Sequence, residues 1–194
     1  FGPYVVRHID QAETVPWQYL FTRGIVIFTL LNLFLFFEEG IDFIKNYLSV
    51  GISGIIGGIG LGIAMTTFIW SITQTTAAVT LLCLAAMPFM TAILGFLFLK
   101  EEVSINVWVS IILATIGIGI MAFDATGSNS IIGLFLGLAS ATGFSIFSIS
   151  LRWNRKTPKF TTVAIAGLFC CLFSLIMIWA IQNNRHLLSL LVIF

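Results

Sequence analysis

Apolar runs alternate along this chain with short clusters of charged and turn-forming residues. A helix that crosses a bilayer needs about 20 mainly apolar residues. The pattern predicts six such crossings: Trp17 to Phe37, Tyr47 to Ser71, Thr75 to Leu99, Ile105 to Phe123, Ile131 to Leu151 and Thr161 to Ile181. The separators "EEGIDFIKN", "ITQ", "KEEVS", "DATGSNS" and "RWNRKTPKF" are all short. Short connections predict that sequence neighbours pack as antiparallel pairs within one compact bundle. The opening "FGPYVVRHI" looks like the last turn of an earlier crossing, and "LLSLLVIF", Leu187 to Phe194, stops before it could span. The expectation is an internal piece of a longer chain.

Composition strengthens the membrane reading. The 194 residues are 59% hydrophobic and 9% charged, with a mean hydropathy of +1.08, which leaves too few polar side chains to cover a water-soluble domain of this size. The expected fold class is therefore all-α, a polytopic transmembrane helix bundle, with the lipid bilayer as its first partner. A net charge of +1 gives no concentrated basic face, so nucleic acid is not an expected partner. Basic residues accumulate in cytoplasmic loops. Lys45, Lys100, Arg152, Arg155, Lys156 and Lys159 fall on one side, against Arg7 and Arg185 with Arg23 just inside a span on the other. That bias runs the first crossing inward and places "RWNRKTPKF" in the cytoplasm.

The stretch "GISGIIGGIGLGIAM" invites a phosphate-loop reading. It has neither the Lys-Ser/Thr pair nor the Gly-x-Gly-x-x-Gly frame that such loops require. Gly54, Gly58 and Gly62 instead recur every four residues, a stripe without side chains that lets two membrane helices approach closely. Gly133, Gly137, Ala141 and Ser145 repeat the device in the fifth crossing. Two uses are open for these stripes: plain packing, or sliding and bending during transport.

Toward the outer end of the second crossing come Thr66, Thr67, Trp70 and Gln74, followed after a tight turn by Thr80. A ring with nearby hydroxyls and an amide offers a small amphipathic solute a stacking surface and directed hydrogen bonds. The competing account for Trp70 is residence in the interfacial aromatic belt, which is the expected place of Trp17, Trp153 and Trp179. Arg23 is the one basic residue inside a crossing. It either snorkels to the surface or faces a partner or aqueous cavity. No acidic residue lies deep in any span, which removes the obvious proton relay. Pro88 should interrupt the third crossing, because it cannot supply the N–H that the Leu84 carbonyl would take in a continuous helix. Cys83, Cys170 and Cys171 have neither metal-ligand nor disulfide spacing. No H-E-x-x-H, no G-x-S-x-G and no intramembrane acid pair occurs, and His8 and His186 sit at loops. Catalytic residues, metal ligands and cofactors are accordingly not expected.

The segment "PFMTAILGFLFLKEEVSINVWVSIILATIGIGIMAF", Pro88 to Phe123, resembles the drug/metabolite transporter superfamily, specifically its EamA-type branch. Pro88, Leu99, Glu101, Ser104 and Gly117 match the family pattern in order and spacing. Upstream, Trp70, Thr75, Thr76, Ala77 and Ala78 match its aromatic and Thr/Ser-Ala-Ala segment, and Arg23 matches the Arg the family often carries early in its second helix. The resemblance implies ten helices in two inverted five-helix halves. Residues 1–123 would then be the first EamA repeat lacking most of its first helix, and 124–194 the truncated start of the second. It also implies a secondary transporter in a bacterial inner membrane, an exporter of small metabolites or drugs by alternating access, with a small-molecule substrate and a candidate homodimer partner. Substrate-pathway residues would be Thr66, Thr67, Trp70, Gln74, Thr80 and Arg23. Pro88, Glu101, Gly54, Gly58 and Gly62 would be hinge or structural positions, with Glu101 orienting the turn between two helices. The family turn commonly reads Gly-Glu-Arg where this chain has Lys100, Glu101 and Glu102, and Ser110 stands where many members have Gly. Three alternatives stay open. They are a nucleotide-sugar or sugar-phosphate exchanger, which calls for more fixed positive charge than Arg23 alone supplies, a non-transporting membrane scaffold, and an intramembrane enzyme.

Overall fold

The computed structural model describes residues 15–124 and 131–192, and within them the regular structure is helical, with no strand. Arg7, His8, most of the "DATGSNS" loop and the side chains of Arg185, His186 and the terminal apolar run lie outside the described residues. Helix α1 spans Val15–Glu39. A 3-10 turn, Gly40–Asp42, leads into the short α2, Phe43–Ser49. Helix α3 is Gly51–Gln74, α4 Ala77–Ala85, α5 Met87–Leu99, α6 Ile105–Asp124, α7 Ile131–Trp153 and α8 Lys159–Val192.

Five segments among the described residues are long and apolar enough to cross a membrane: Pro16–Ser49, Gly51–Gln74, Ala77–Leu99, Ile131–Trp153 and Lys159–Ala180. The sixth expected crossing is α6, with 20 residues in all and a shorter apolar helix over Ile105–Gly117. The second crossing does not start at Tyr47. It starts at Gly51, whose φ of +64° breaks the chain direction after α2, a conformation open to glycine at no steric cost. The turn into the third crossing is closed by Thr76, whose hydroxyl accepts the Val79 N–H at 3.3 Å as an N-cap. As the Pro88 argument predicts, that crossing is broken. Helix α4 ends at Ala85, the Ala86 carbonyl accepts from Phe89 and Met90, and Pro88 lies in the first turn of α5.

One expectation fails. Sequence neighbours are not the principal packing pairs: α1 lies along α8, α3 lies between α7 and α8, and α4 and α5 lie on α7. Close approach is decided by which faces lack side chains, not by how short a connection is. Gly54, Gly58 and Gly62 pack against Thr162, Ile165 and Phe169 of α8. Gly57 and Gly60 form a second face of α3, against Ser150, Ile146 and Gly143 of α7. Gly133 and Gly137 meet Thr75 and Cys83. The contacts of α3 and α8 advance together, from Gly54 beside Thr162 to Gly62 beside Phe169, so these two helices run parallel.

Hydroxyl groups hold the same faces. Ser71 Oγ donates to the Gly133 carbonyl at 2.7 Å and lies 2.8 Å from Thr80 Oγ1. Ser140 Oγ donates to the Ala64 carbonyl at 2.9 Å, and Ser53 Oγ lies 2.8 Å from Thr157 Oγ1. Each such interhelical bond contributes roughly 0.6–2 kcal/mol in a bilayer.

Candidate functional site

The sequence-predicted pathway residues divide into two groups. Thr80 is fully buried and bonded to Ser71 at the junction of α3, α4 and α7. Gln74 is exposed at the end of α3, and Thr67 is half-buried with its hydroxyl donated back to the Ile63 carbonyl. Arg23, Thr66 and Trp70, by contrast, come together in the wedge between α1, α3 and α8.

Two apolar clusters frame this wedge. At one end Trp17, Leu20 and Ile69 are buried, with Trp70, Phe173, Met177 and Ile178 packed around them. Below it, Leu61, Met65, Ala166 and Cys170 form a second cluster that Ile27 packs against. Arg23 lies three residues from Leu20 and four from Ile27, hence on the same face of α1 and between the two clusters.

Across the wedge, Thr66 Oγ1 lies 3.9 Å from Cys170 Sγ and donates to the Gly62 carbonyl at 2.9 Å. One turn further along the parallel helices come Trp70 on α3 and Ser174 on α8. Ser174 is fully buried, and neither its Oγ nor Trp70 Nε1 has a hydrogen-bond partner among the described residues. A buried polar group without a partner costs about 1–3 kcal/mol, so each needs a reason, as does Thr161 Oγ1 near the start of α8. Arg23 is half-buried and likewise forms no ion pair or hydrogen bond among the described residues. The surrounding α3 and α8 contain no Asp or Glu.

Trp17 corrects the belt expectation. It is only 3% exposed and packs against Trp70 with the rings tilted at 48° and their centroids 5.0 Å apart, so both rings line the wedge. Trp153 and Trp179 are exposed, as belt residence requires. Ser174 was legible in principle, as the lone hydroxyl between Gly167 and Trp179. Its relation to Trp70 was not, because only the α3–α8 register creates it.

The hinge and structural positions sit elsewhere. Glu101, in the turn before α6, accepts from Arg152 Nη2 of α7 at 2.6 Å, and its own N–H donates to the Gly95 carbonyl. Glu101 thus takes its guanidinium partner from another helix. Among the described residues no cluster of His, Cys, Asp or Glu fits a metal ion.

The chain's residues 2–123 match the EamA-like transporter family. No curated protein and no solved structure matches it.

Proposed function

Because the chain belongs to the EamA-like transporter family, a branch of the drug/metabolite transporter superfamily whose members are multi-pass integral membrane proteins, we propose that it moves a small metabolite or drug outward across a bacterial inner membrane by alternating access. Residues 1–123 would form one repeat and 124–194 the start of its inverted partner.

The observation that carries this reading is the wedge. Substrate sites in inverted-repeat transporters lie where elements of the two halves meet. Here α8, from the second segment, packs between α1 and α3 of the first, and two of the unsatisfied polar atoms, Trp70 Nε1 and Ser174 Oγ, belong to the helices of that junction. Arg23, Thr66 and Trp70 would contact the solute. Thr67, Gln74 and Thr80 would line its path, and Pro88, where the third crossing breaks, would be a hinge. The scaffold alternative gives no account of polar groups left unsatisfied inside the bundle, and no nucleotide-sized anion is matched by a single guanidinium.

The test compares metabolites in spent medium and in extract of cells expressing the protein with those of empty-vector cells. A solute that moves only with the intact protein, and not with a Trp70→Ala variant expressed at equal level, establishes export. Unchanged flux in Trp70→Ala removes Trp70 from the site. Absence of any flux, in cells and in liposomes holding the purified protein, favours the scaffold.

A further inference from the structure

We propose that the wedge between α1, α3 and α8 binds the carboxylate of a monoanionic solute with an apolar body. Arg23 holds the carboxylate, and Trp70 Nε1 and Ser174 Oγ donate hydrogen bonds to it. This deepens, and rests on, the transporter reading.

The charge balance points to the class. A guanidinium is always protonated and only donates. Arg23 has no acidic residue on either helix packed against it, and on α1 itself the acids, Glu38 and Glu39, lie at the far end. Its counter-charge must therefore come from outside these helices. Two orphans on the helices facing Arg23, Trp70 Nε1 and Ser174 Oγ, can donate as well: an indole N–H, which cannot accept, and a fully buried hydroxyl. Three donors, one of them cationic, select an acceptor that carries one negative charge. A planar carboxylate meets a guanidinium fork with two parallel bonds.

The same balance excludes other solutes. A phosphate dianion asks for a second cation, and the described part of α1, α3 and the transmembrane part of α8 offer none within the wedge. A zwitterion asks for an acid opposite its ammonium group, which these faces lack. A neutral solute would leave Arg23 without a counter-charge among the described residues of these helices, in a half-buried position. The rest of the wall is apolar or aromatic: Trp17, Leu20, Ile69, Phe173 and Met177. The remainder of the solute is therefore apolar.

The protein, purified in detergent micelles, is tested by equilibrium binding of radiolabelled benzoate and hexanoate, with benzamide and hexanamide as neutral competitors of the same shape. At least one carboxylate binds saturably, and its amide does not compete. Arg23→Gln weakens binding about tenfold or more, and Arg23→Lys by less, since a point charge keeps the attraction but loses the fork. Trp70→Phe, which keeps a ring and removes the N–H, and Ser174→Ala each weaken it several-fold while thermal unfolding stays within error of the parent.

No saturable binding of either carboxylate, equal competition by the amides, or affinity indifferent to Arg23→Gln, Trp70→Phe and Ser174→Ala overturns the proposal. The two readings separate cleanly. Solute flux that ignores Arg23→Gln, with no carboxylate bound, leaves a transporter without this site. Carboxylate binding that needs Arg23, without flux, supports the site and removes transport.

Discussion

Lys100 is the one described residue other than glycine with a positive φ, +54°, and it closes the C-terminus of α5 in the left-handed conformation. The family turn commonly has Gly here, and the backbone says why: a Cβ in that region costs about 1 kcal/mol that glycine avoids. Lys100→Gly is expected to raise stability by about 0.5–1 kcal/mol, read as a higher unfolding temperature in detergent. A lower temperature would mean that the lysine side chain contributes more than its backbone costs. The neighbouring Glu101–Arg152 pair, with side chains 36% and 48% exposed, contributes less than its 2.6 Å separation suggests, since water screens it. Its use is positional, tying the turn before α6 to the end of α7.

Helix pairs in this bundle are set by backbone approach. Gly24 and Gly167, where α1 crosses α8, form a reciprocal contact. A Cβ on Gly24 would lie 2.7 Å from the Gly167 carbonyl oxygen, and one on Gly167 would lie 3.0 Å from that of Gly24. At the α3–α7 crossing a Cβ on Gly143 would lie 2.6 Å from the Gly60 carbonyl oxygen. These obstacles are backbone and cannot rotate away. Gly143→Ala and Gly167→Ala are each expected to destabilise the protein by about 1–3 kcal/mol. Gly117 of α6 has nothing within 4 Å of its Cβ position, so Gly117→Ala should be neutral or slightly stabilising. Thermal unfolding of the three variants side by side is the check, and equal losses in all three would show that the crossings are not glycine-limited. The stripes Gly54/Gly58/Gly62 and Gly133/Gly137 were legible from their spacing of four. Gly24 and Gly167 were not, because a lone glycine acquires meaning only from the helix that crosses it.

Among the described residues, the basic loops gather at one end. Ser53 meets Thr157, Glu101 meets Arg152 and Phe34 meets Phe160, so the ends bearing Lys100, Arg152, Arg155, Lys156 and Lys159 are neighbours, with Gln74 at the opposite end of α3. If that basic end is cytoplasmic, a membrane-impermeant maleimide should label Gln74→Cys in intact cells and Lys156→Cys only after permeabilisation, in a background with Cys83, Cys170 and Cys171 replaced by Ser. The reverse pattern would invert the topology. Apolar run length and the placement of charge determined the helical class and the approximate spans, because those follow from the cost of putting polar groups in lipid. Pro88 and the Gly51 stretch likewise announced a break and a packing face through local backbone chemistry. Which helices meet was decided only in three dimensions. Connection length favoured sequence neighbours, yet interdigitation of α7 and α8 with α1 and α3 won, since bare glycine faces and hydroxyl bonds reward close approach wherever in the chain they occur. That choice separated Thr80 from Trp70, turned Trp17 inward onto Trp70, and set Thr66 of α3 beside Cys170 of α8, relations that no periodicity within a single helix encodes.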